Sequence, residues 1–225
     1  MPALFMLSRE EQYLMKYIDA LVERYPQLSA VKEDAEELCR ALIKCFSSGG
    51  KLLVCGNGGS SADAEHIAGE LMKGFLKKRE LSKEKRARML GQYPRLGEEI
   101  LDSLQQGLPV IPLGLCAPLS TAFANDCNPK FIFAQEVLAY GGMNDVFLGI
   151  STSGNSENVC AAAEVARSLG LFSCALTGGT GGRLRDICDS VLAVPETETF
   201  KIQELHLPVY HAICAEVEEY FFNNC

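Results

Sequence analysis

No unbroken run of eighteen apolar residues occurs in this chain of 225 residues, so no segment has the character of a membrane-spanning helix. Residues 1–10 lack the basic start, apolar middle and small-residue cleavage site of a secretory leader, which makes the cytoplasm the expected compartment. An excess of positive charge is missing too. Lysine and arginine number 21 against 29 aspartates and glutamates, a net charge of −8, whereas a nucleic-acid partner calls for a basic patch. The one basic cluster (Lys77, Lys78, Arg79, Lys83, Lys85, Arg86 and Arg88) is interleaved with Glu80 and Glu84 and reads as a solvated helix face. Ten cysteines are present without a single Cys-x-x-Cys pair, and their scatter suits neither a disulfide framework nor a cysteine zinc site. Cys55 and Cys174 lie inside apolar runs, where a thiol behaves as a small hydrophobe. Reduced core thiols in a reducing compartment are therefore expected.

What the chain does have is material for a full core: 48% of it is hydrophobic and 22% charged. Two helical patterns open it. Tyr13, Leu14, Tyr17, Ile18 and Leu21 form one stripe over about residues 10–25, and Pro26 breaks it. Val31, Leu38, Leu42 and Ile43 repeat at helical spacing over about residues 29–46, until Ser47-Ser48-Gly49-Gly50 ends the run. Residues 1–48 are thus read as N-terminal helices.

The grammar then changes. Leu52-Leu53-Val54-Cys55 has the pattern of a buried strand, followed by Gly56-Asn57-Gly58-Gly59-Ser60-Ser61 and a helix over about residues 62–76. Asp145-Val146-Phe147-Leu148-Gly149-Ile150 repeats it, with Ser151-Thr152-Ser153-Gly154-Asn155-Ser156 and a helix over about residues 157–169. A weaker third copy spans a strand at 172–177, a glycine-rich loop at 178–182 and a helix at 183–188. Further strands are read at 110–115, interrupted by Pro112, and at 190–194. Such alternation implies an α/β fold, a doubly wound parallel sheet covered on both faces with right-handed crossovers. Residues 78–108 read as a helical insertion, since a structureless loop of that length is unusual in a compact domain.

In a doubly wound sheet, ligands bind at the carboxyl ends of the strands, where both Gly/Ser loops should lie. Glycine lets the backbone approach a ligand, and the following helix offers unpaired N–H groups and the positive end of its dipole. Ser151, Thr152, Ser153 and Ser156 add four hydroxyls at one helix entrance, and a phosphate would use them all. Tight turns favour the same residues, but two such loops at equivalent places argue for a ligand. No nucleotide cofactor is expected. Ser61 stands where a dinucleotide fingerprint needs its third glycine, and neither loop ends in Gly-Lys-Ser/Thr.

Gly56 to His66, Ile150 to Ser156 and Ile202-Gln203-Glu204-Leu205-His206 together resemble the phosphoheptose isomerase branch of the SIS (sugar isomerase) domain family. The similarity runs from about Leu38 to the C-terminus, outside the insertion. It implies a single SIS-type domain over residues 1–225, with a five-stranded parallel sheet and N-terminal helices that help build a homotetramer. The implied reaction converts sedoheptulose 7-phosphate to the corresponding aldoheptose 7-phosphate. By the same resemblance Asn57, Gly58, Gly59 and Ser60 belong to a substrate-binding loop, and Asn125 and Asp126 are an Asn-Asp pair near the sugar. Ser151, Thr152, Ser153 and Ser156 match the phosphate cradle, Glu70 and His211 the acid/base pair, and Gln203 a substrate or metal contact. His66, Glu70, Gln203 and His211 match residues that ligate zinc in several members.

The residues can be weighed against that chemistry. Isomerisation through an enediol needs a base at carbon and an acid that moves protons on oxygen. His66 and Glu70 are four apart and share a helix face, although Glu70 could also be a surface carboxylate beside Lys73. Gln203 and His211 are eight apart, roughly 12 Å along a helix, a long span for one metal. Pro208 between them bends the helix or marks its start, and the alternative is that His211 serves a neighbouring subunit. His206 matches no family role and reads as structural. The chain departs from the family pattern at Phe200-Lys201, at Gly74 (where an arginine is common) and in the length of 78–108. Two other functions stay open: a non-catalytic phosphosugar-binding module that regulates a protein partner, and a phosphosugar lyase or amino-sugar enzyme, for which no lysine is clearly placed to form a Schiff base.

Overall fold

The computed structural model describes residues 15–223. Its centre is a parallel sheet of five strands, β1 (Leu52–Gly56), β2 (Val110–Pro112), β3 (Val146–Ile150), β4 (Phe172–Gly178) and β5 (Ser190–Val194), in the order β2-β1-β3-β4-β5. β1 and β3 are buried along their whole length, which is why they read as continuous apolar runs rather than as alternating ones. Alternate residues nevertheless face opposite layers. Leu52, Val54, Leu148 and Ile150 join one core with α1 (Lys16–Arg24), α2 (Lys32–Ser47), α3 (Gly59–Met72) and α10 (Thr199–Phe222). Leu53, Cys55 and Phe147 join the other core, with α7 (Ile132–Tyr140), α8 (Glu157–Ser168) and the single-turn α9 (Leu184–Ile187). Each fully buried leucine or phenylalanine contributes about 1.5–3 kcal/mol, so the two layers fix the sheet between them.

β2 lies at one edge, where Leu113 still donates to the Val54 carbonyl before Gly114 turns the chain out of the ladder with φ +86°. The expected strand at 110–115 is therefore only three residues long. Pro26 does end the first helix, and a 3-10 turn over Pro26–Val31 leads into α2. The part of the expected first helix that includes Tyr13 and Leu14 lies outside the described residues. Pro208 neither breaks nor starts α10, which runs for 24 residues around it. Two helices that the sequence pattern did not suggest, α6 (Ala117–Asp126) and α7, fill the stretch before β3.

Residues 78–108 carry two short helices, α4 (Lys83–Gln92) and α5 (Glu98–Ser103). An antiparallel bridge between Glu80 and Gln105 closes their base, and Arg86 ties one helix to Glu98 and Asp102 of the other. The basic cluster that leads into this arm is not all solvated: Arg79 is completely buried. Its guanidinium meets a buried carboxylate and two helix-end carbonyls, partners that a reading of local charge could not supply. No described helix is long and apolar enough to cross a membrane.

Candidate active site

β1 connects to β2 on one side of the sheet while β3 pairs on the other, so the order reverses between β1 and β3. Their carboxyl ends are in register there, Cys55 opposite Gly149 and Gly56 opposite Ile150, and both Gly/Ser loops open into that crevice. Asn57 from the first loop and Asn158 from α8 exchange side-chain amide bonds of 2.9 and 2.8 Å across it. Gly58 turns the chain with φ +57°. The backbone amides of Ser60 and Ser61 then donate to the carbonyls of Asn57 and Gly58, starting α3 at Gly59.

The second loop is held from behind. Gly154 donates to the Ser151 carbonyl, Gly178 to the Thr152 carbonyl and Leu184 to the Gly154 carbonyl. The third glycine-rich loop thus braces the second. Ser151 and Ser156 hydroxyls lie 2.9 Å apart, and Ser156, though at the N-cap of α8, makes no side-chain cap bond. The entrance of a helix of twelve residues is therefore lined with hydroxyls that are not spent on its own amides. Asn57, Lys130, Ser156, Glu157 and Asn158 border an open cleft of about 420 Å³ at this point. Lys130 pairs with Glu157 at 2.7 Å and holds its carboxyl below the usual range.

A second cluster lies between α3 and α10. These helices run side by side in the same sense, for Gln203 packs on Gly59, His211 on His66 and Glu218 on Phe75. His66 Nε2 is 3.1 Å from Glu70 Oε1 and 3.4 Å from His211 Nε2, and ligand atoms of all three lie within 4.8 Å of one another. On its other side His66 Nδ1 is 2.9 Å from the Tyr210 hydroxyl, which donates to Asp63 Oδ1 at 3.3 Å. With the phenol donating to Asp63, His66 Nδ1–H donates to the phenol oxygen. That tautomer leaves the Nε2 lone pair facing Glu70 and His211. Burial, and next the neighbouring His66, hold the His211 imidazole below its usual value against the pull of Glu70. Burial likewise raises the Asp63 carboxyl.

His66, Glu70 and His211 thus come together within one chain, from residues 66 to 211. Gln203 sits elsewhere, its amide against Gly59 where a Cβ would come within 2.5 Å of Nε2. Asn125 and Asp126 are exposed at the end of α6 and hydrogen-bond to each other at 2.7 Å. His206 is fully buried, with Nε2 3.1 Å from the Thr177 carbonyl oxygen, as a structural histidine. Sequence reasoning passed over Asn158, Lys130, Asp63 and Tyr210. The i, i+3 spacing of Asp63 and His66 was a usable signal; nothing local announced the others.

Comparison with known proteins bears on the family and the fold. A family model described as an SIS domain matches residues 16–96. A phosphoheptose isomerase of Aneurinibacillus thermoaerophilus is 37% identical over 189 residues, which cover 84% of this chain and 82% of that protein. One of Crocosphaera subtropica is 40% identical over 191 residues, 82% of this chain and 84% of the relative. The solved structure of a phosphoheptose isomerase from Francisella tularensis superposes with a TM-score of 0.71 at 30% identity, covering 91% of this chain and 95% of that one.

Proposed function

Because this chain belongs to the phosphoheptose isomerase family of SIS-domain proteins, we propose that it interconverts sedoheptulose 7-phosphate and the corresponding aldoheptose 7-phosphate. Its relatives carry the enzyme reading, an aldose–ketose isomerase, rather than that of a binding module. The observation that supports the site most directly is the convergence of His66, Glu70 and His211 within 4.8 Å, on helices that flank the Gly/Ser loops.

In this reading Ser151, Thr152, Ser153 and Ser156, with the amides at the start of α8, seat the phosphate. Asn57, Gly58, Gly59 and Ser60 bind the sugar beside them, with Gln203 against the same loop and Asn125 and Asp126 contributing from α6. Glu70 takes the proton from the carbon next to the carbonyl and returns it to the adjacent carbon, giving an enediol in between. His211, disposed by its burial to stay neutral, moves the proton between the two oxygens. His66 is oriented for this pocket by Tyr210 and Asp63.

The donor set fits a divalent metal. Two imidazole nitrogens and a carboxylate oxygen converge as acceptors, and the hydrogen bond at His66 Nδ1 is of the kind that orients a ligating histidine. His66, Glu70 and His211 would hold zinc, whereas Gln203, a ligand in the family pattern, lies against Gly59 and away from them. A bound zinc ion would polarise the substrate oxygens.

We also assign a homotetramer in the cytoplasm. An apolar cleft of about 450 Å³ between α1, α10 and residues 75–76 exposes Leu76 and Leu207 and reaches His211, as a subunit contact would. Among the described cysteines, Cys39, Cys45, Cys55, Cys160, Cys174 and Cys214 are buried as small hydrophobes. The experiment is turnover by Glu70→Gln. Loss of the carbon base should cut kcat by about 10²–10⁴ while phosphosugar binding persists; near-parental turnover would refute the assignment.

A further inference from the structure

Arg79 is the largest fully buried side chain described, and it belongs to neither Gly/Ser loop nor to the histidine cluster. Its Nε donates to Glu218 Oε1 at 2.7 Å, Nη1 to the Leu71 carbonyl at 2.6 Å and Nη2 to the Glu70 carbonyl at 3.1 Å. The guanidinium also lies over the Phe222 ring, 4.6 Å from its centroid. Leu71 and Glu70 stand in the last turn of α3, where helix carbonyls lack intrahelical partners. Arg79 is thus a C-cap supplied from outside the helix, on the very turn that carries Glu70.

Glu218 completes the device. Besides Arg79 it accepts from the Phe75 amide at 2.8 Å on Oε1 and from the Leu76 amide at 2.7 Å on Oε2. That folds the segment after α3 back against α10, so the Phe75 ring packs on His211 with centroids 5.4 Å apart. One buried ion pair therefore fixes both the helix end beneath Glu70 and the ring beside His211, without touching either reacting atom. Taking two charges out of water is costly, and an apolar pair of similar volume often stabilises a fold as well. Geometry is the better account of this pair, since acid and base must be held within about 0.5 Å of their working positions.

We propose that Arg79 and Glu218 are positioning residues of the isomerase, a buried pair that sets the separation of Glu70 from His211. The proposal rests on the reading of Glu70 and His211 as the acid/base pair.

It is tested by steady-state turnover of sedoheptulose 7-phosphate by Arg79→Met, Arg79→Lys, Glu218→Gln and Phe75→Leu, with Glu70→Gln alongside and thermal unfolding midpoints taken on the same preparations. Expected for Arg79→Met and Glu218→Gln is a kcat lowered at least tenfold, about 1.4 kcal/mol in barrier, with KM within twofold, because the phosphate seat lies elsewhere. Lysine keeps the charge but not the fork, so Arg79→Lys should recover part of the loss. Phe75→Leu leaves the ion pair in place and should lower kcat severalfold at an unchanged midpoint. Parental kcat in Arg79→Met, Glu218→Gln and Phe75→Leu, beside an inactive Glu70→Gln, overturns the proposal and leaves the active-site assignment standing. An active Glu70→Gln overturns both. If the charge variants do not fold, Phe75→Leu decides: unchanged kcat rejects the positioning role, and a fall in kcat at constant KM supports it.

Discussion

Gly154 and Gly170 both adopt left-handed backbone, with φ of +65° and +81°, so replacing either by alanine carries the same local penalty of about 1–2 kcal/mol. Their surroundings differ completely. A Cβ on Gly170 would meet nothing within 4 Å, whereas one on Gly154 would lie 1.9 Å from the Gly181 oxygen and 2.4 Å from its carbon. Those are backbone atoms of the bracing loop, which no rotamer change can move aside. Such overpacking typically adds about 1–3 kcal/mol. Gly170→Ala should therefore cost about 1–2 kcal/mol and Gly154→Ala about 2–5 kcal/mol, within a total stability of about 5–15 kcal/mol. The loop that yields in Gly154→Ala is the proposed phosphate seat, so this variant alone should also lose affinity for sedoheptulose 7-phosphate. Urea midpoints give the first comparison and titration calorimetry the second. Equal destabilisation of the two variants, or parental affinity in Gly154→Ala, would refute the claim that the third loop braces the second.

Ser156→Ala removes one hydroxyl from the seat; a hydrogen bond to a charged group is worth about 1.5–3 kcal/mol. Phosphosugar affinity should drop at least tenfold, as calorimetry would record. Tyr210→Phe cuts the bonds that join Asp63 to His66, and losing such an orienting partner should lower kcat about 10–100-fold; an unchanged kcat would remove Tyr210 from the site. His206 supplies a pH prediction. Burial holds its imidazole down to about 4, against a usual 6.5, in spite of the Thr177 carbonyl. The unfolded chain takes up that proton as pH falls through about 6.5, and the folded one only near 4. Stability is thus complete above the upper value and declines across the window, by up to about 3 kcal/mol. Denaturant midpoints at about pH 7.5 and about pH 5 should separate more in the parent than in His206→Gln; identical pH dependence would contradict the assignment.

Much of the sheet was legible because β1, β3 and β4 are short apolar runs ended by glycine or serine, and burial on both faces writes that pattern directly. Edges were harder to read. β2 is short because Gly114 turns the backbone two residues past Pro112, and α3 stops at Met72, four residues before the sequence pattern placed its end. The reason lies far along the chain, in Glu218, whose carboxylate captures the Phe75 and Leu76 amides and turns the backbone away. Gly74 sits in that turn, where a Cβ would come 2.2 Å from the Lys77 carbonyl oxygen. The tightness of the turn accounts for glycine at a position where the family pattern favours arginine.

The active-site candidates divide along the same line. His66 and Glu70 could be paired from spacing alone, since four residues make one helical turn. Bringing His211 to them needed α3 and α10 to run in parallel, a tertiary fact that also separates Gln203 from His211 by two turns and leaves it on Gly59. Arg79 is the sharpest case. Its neighbours Lys77, Lys78 and Glu80 all suggested solvent, and its burial depends on a carboxylate 139 residues away. A charged residue next to other charges is legible as surface only if no distant partner compensates it, and here Glu218 does. The residues that carry chemistry could be read from motif and spacing, whereas those that hold them in place are identified by partners that only the fold brings near.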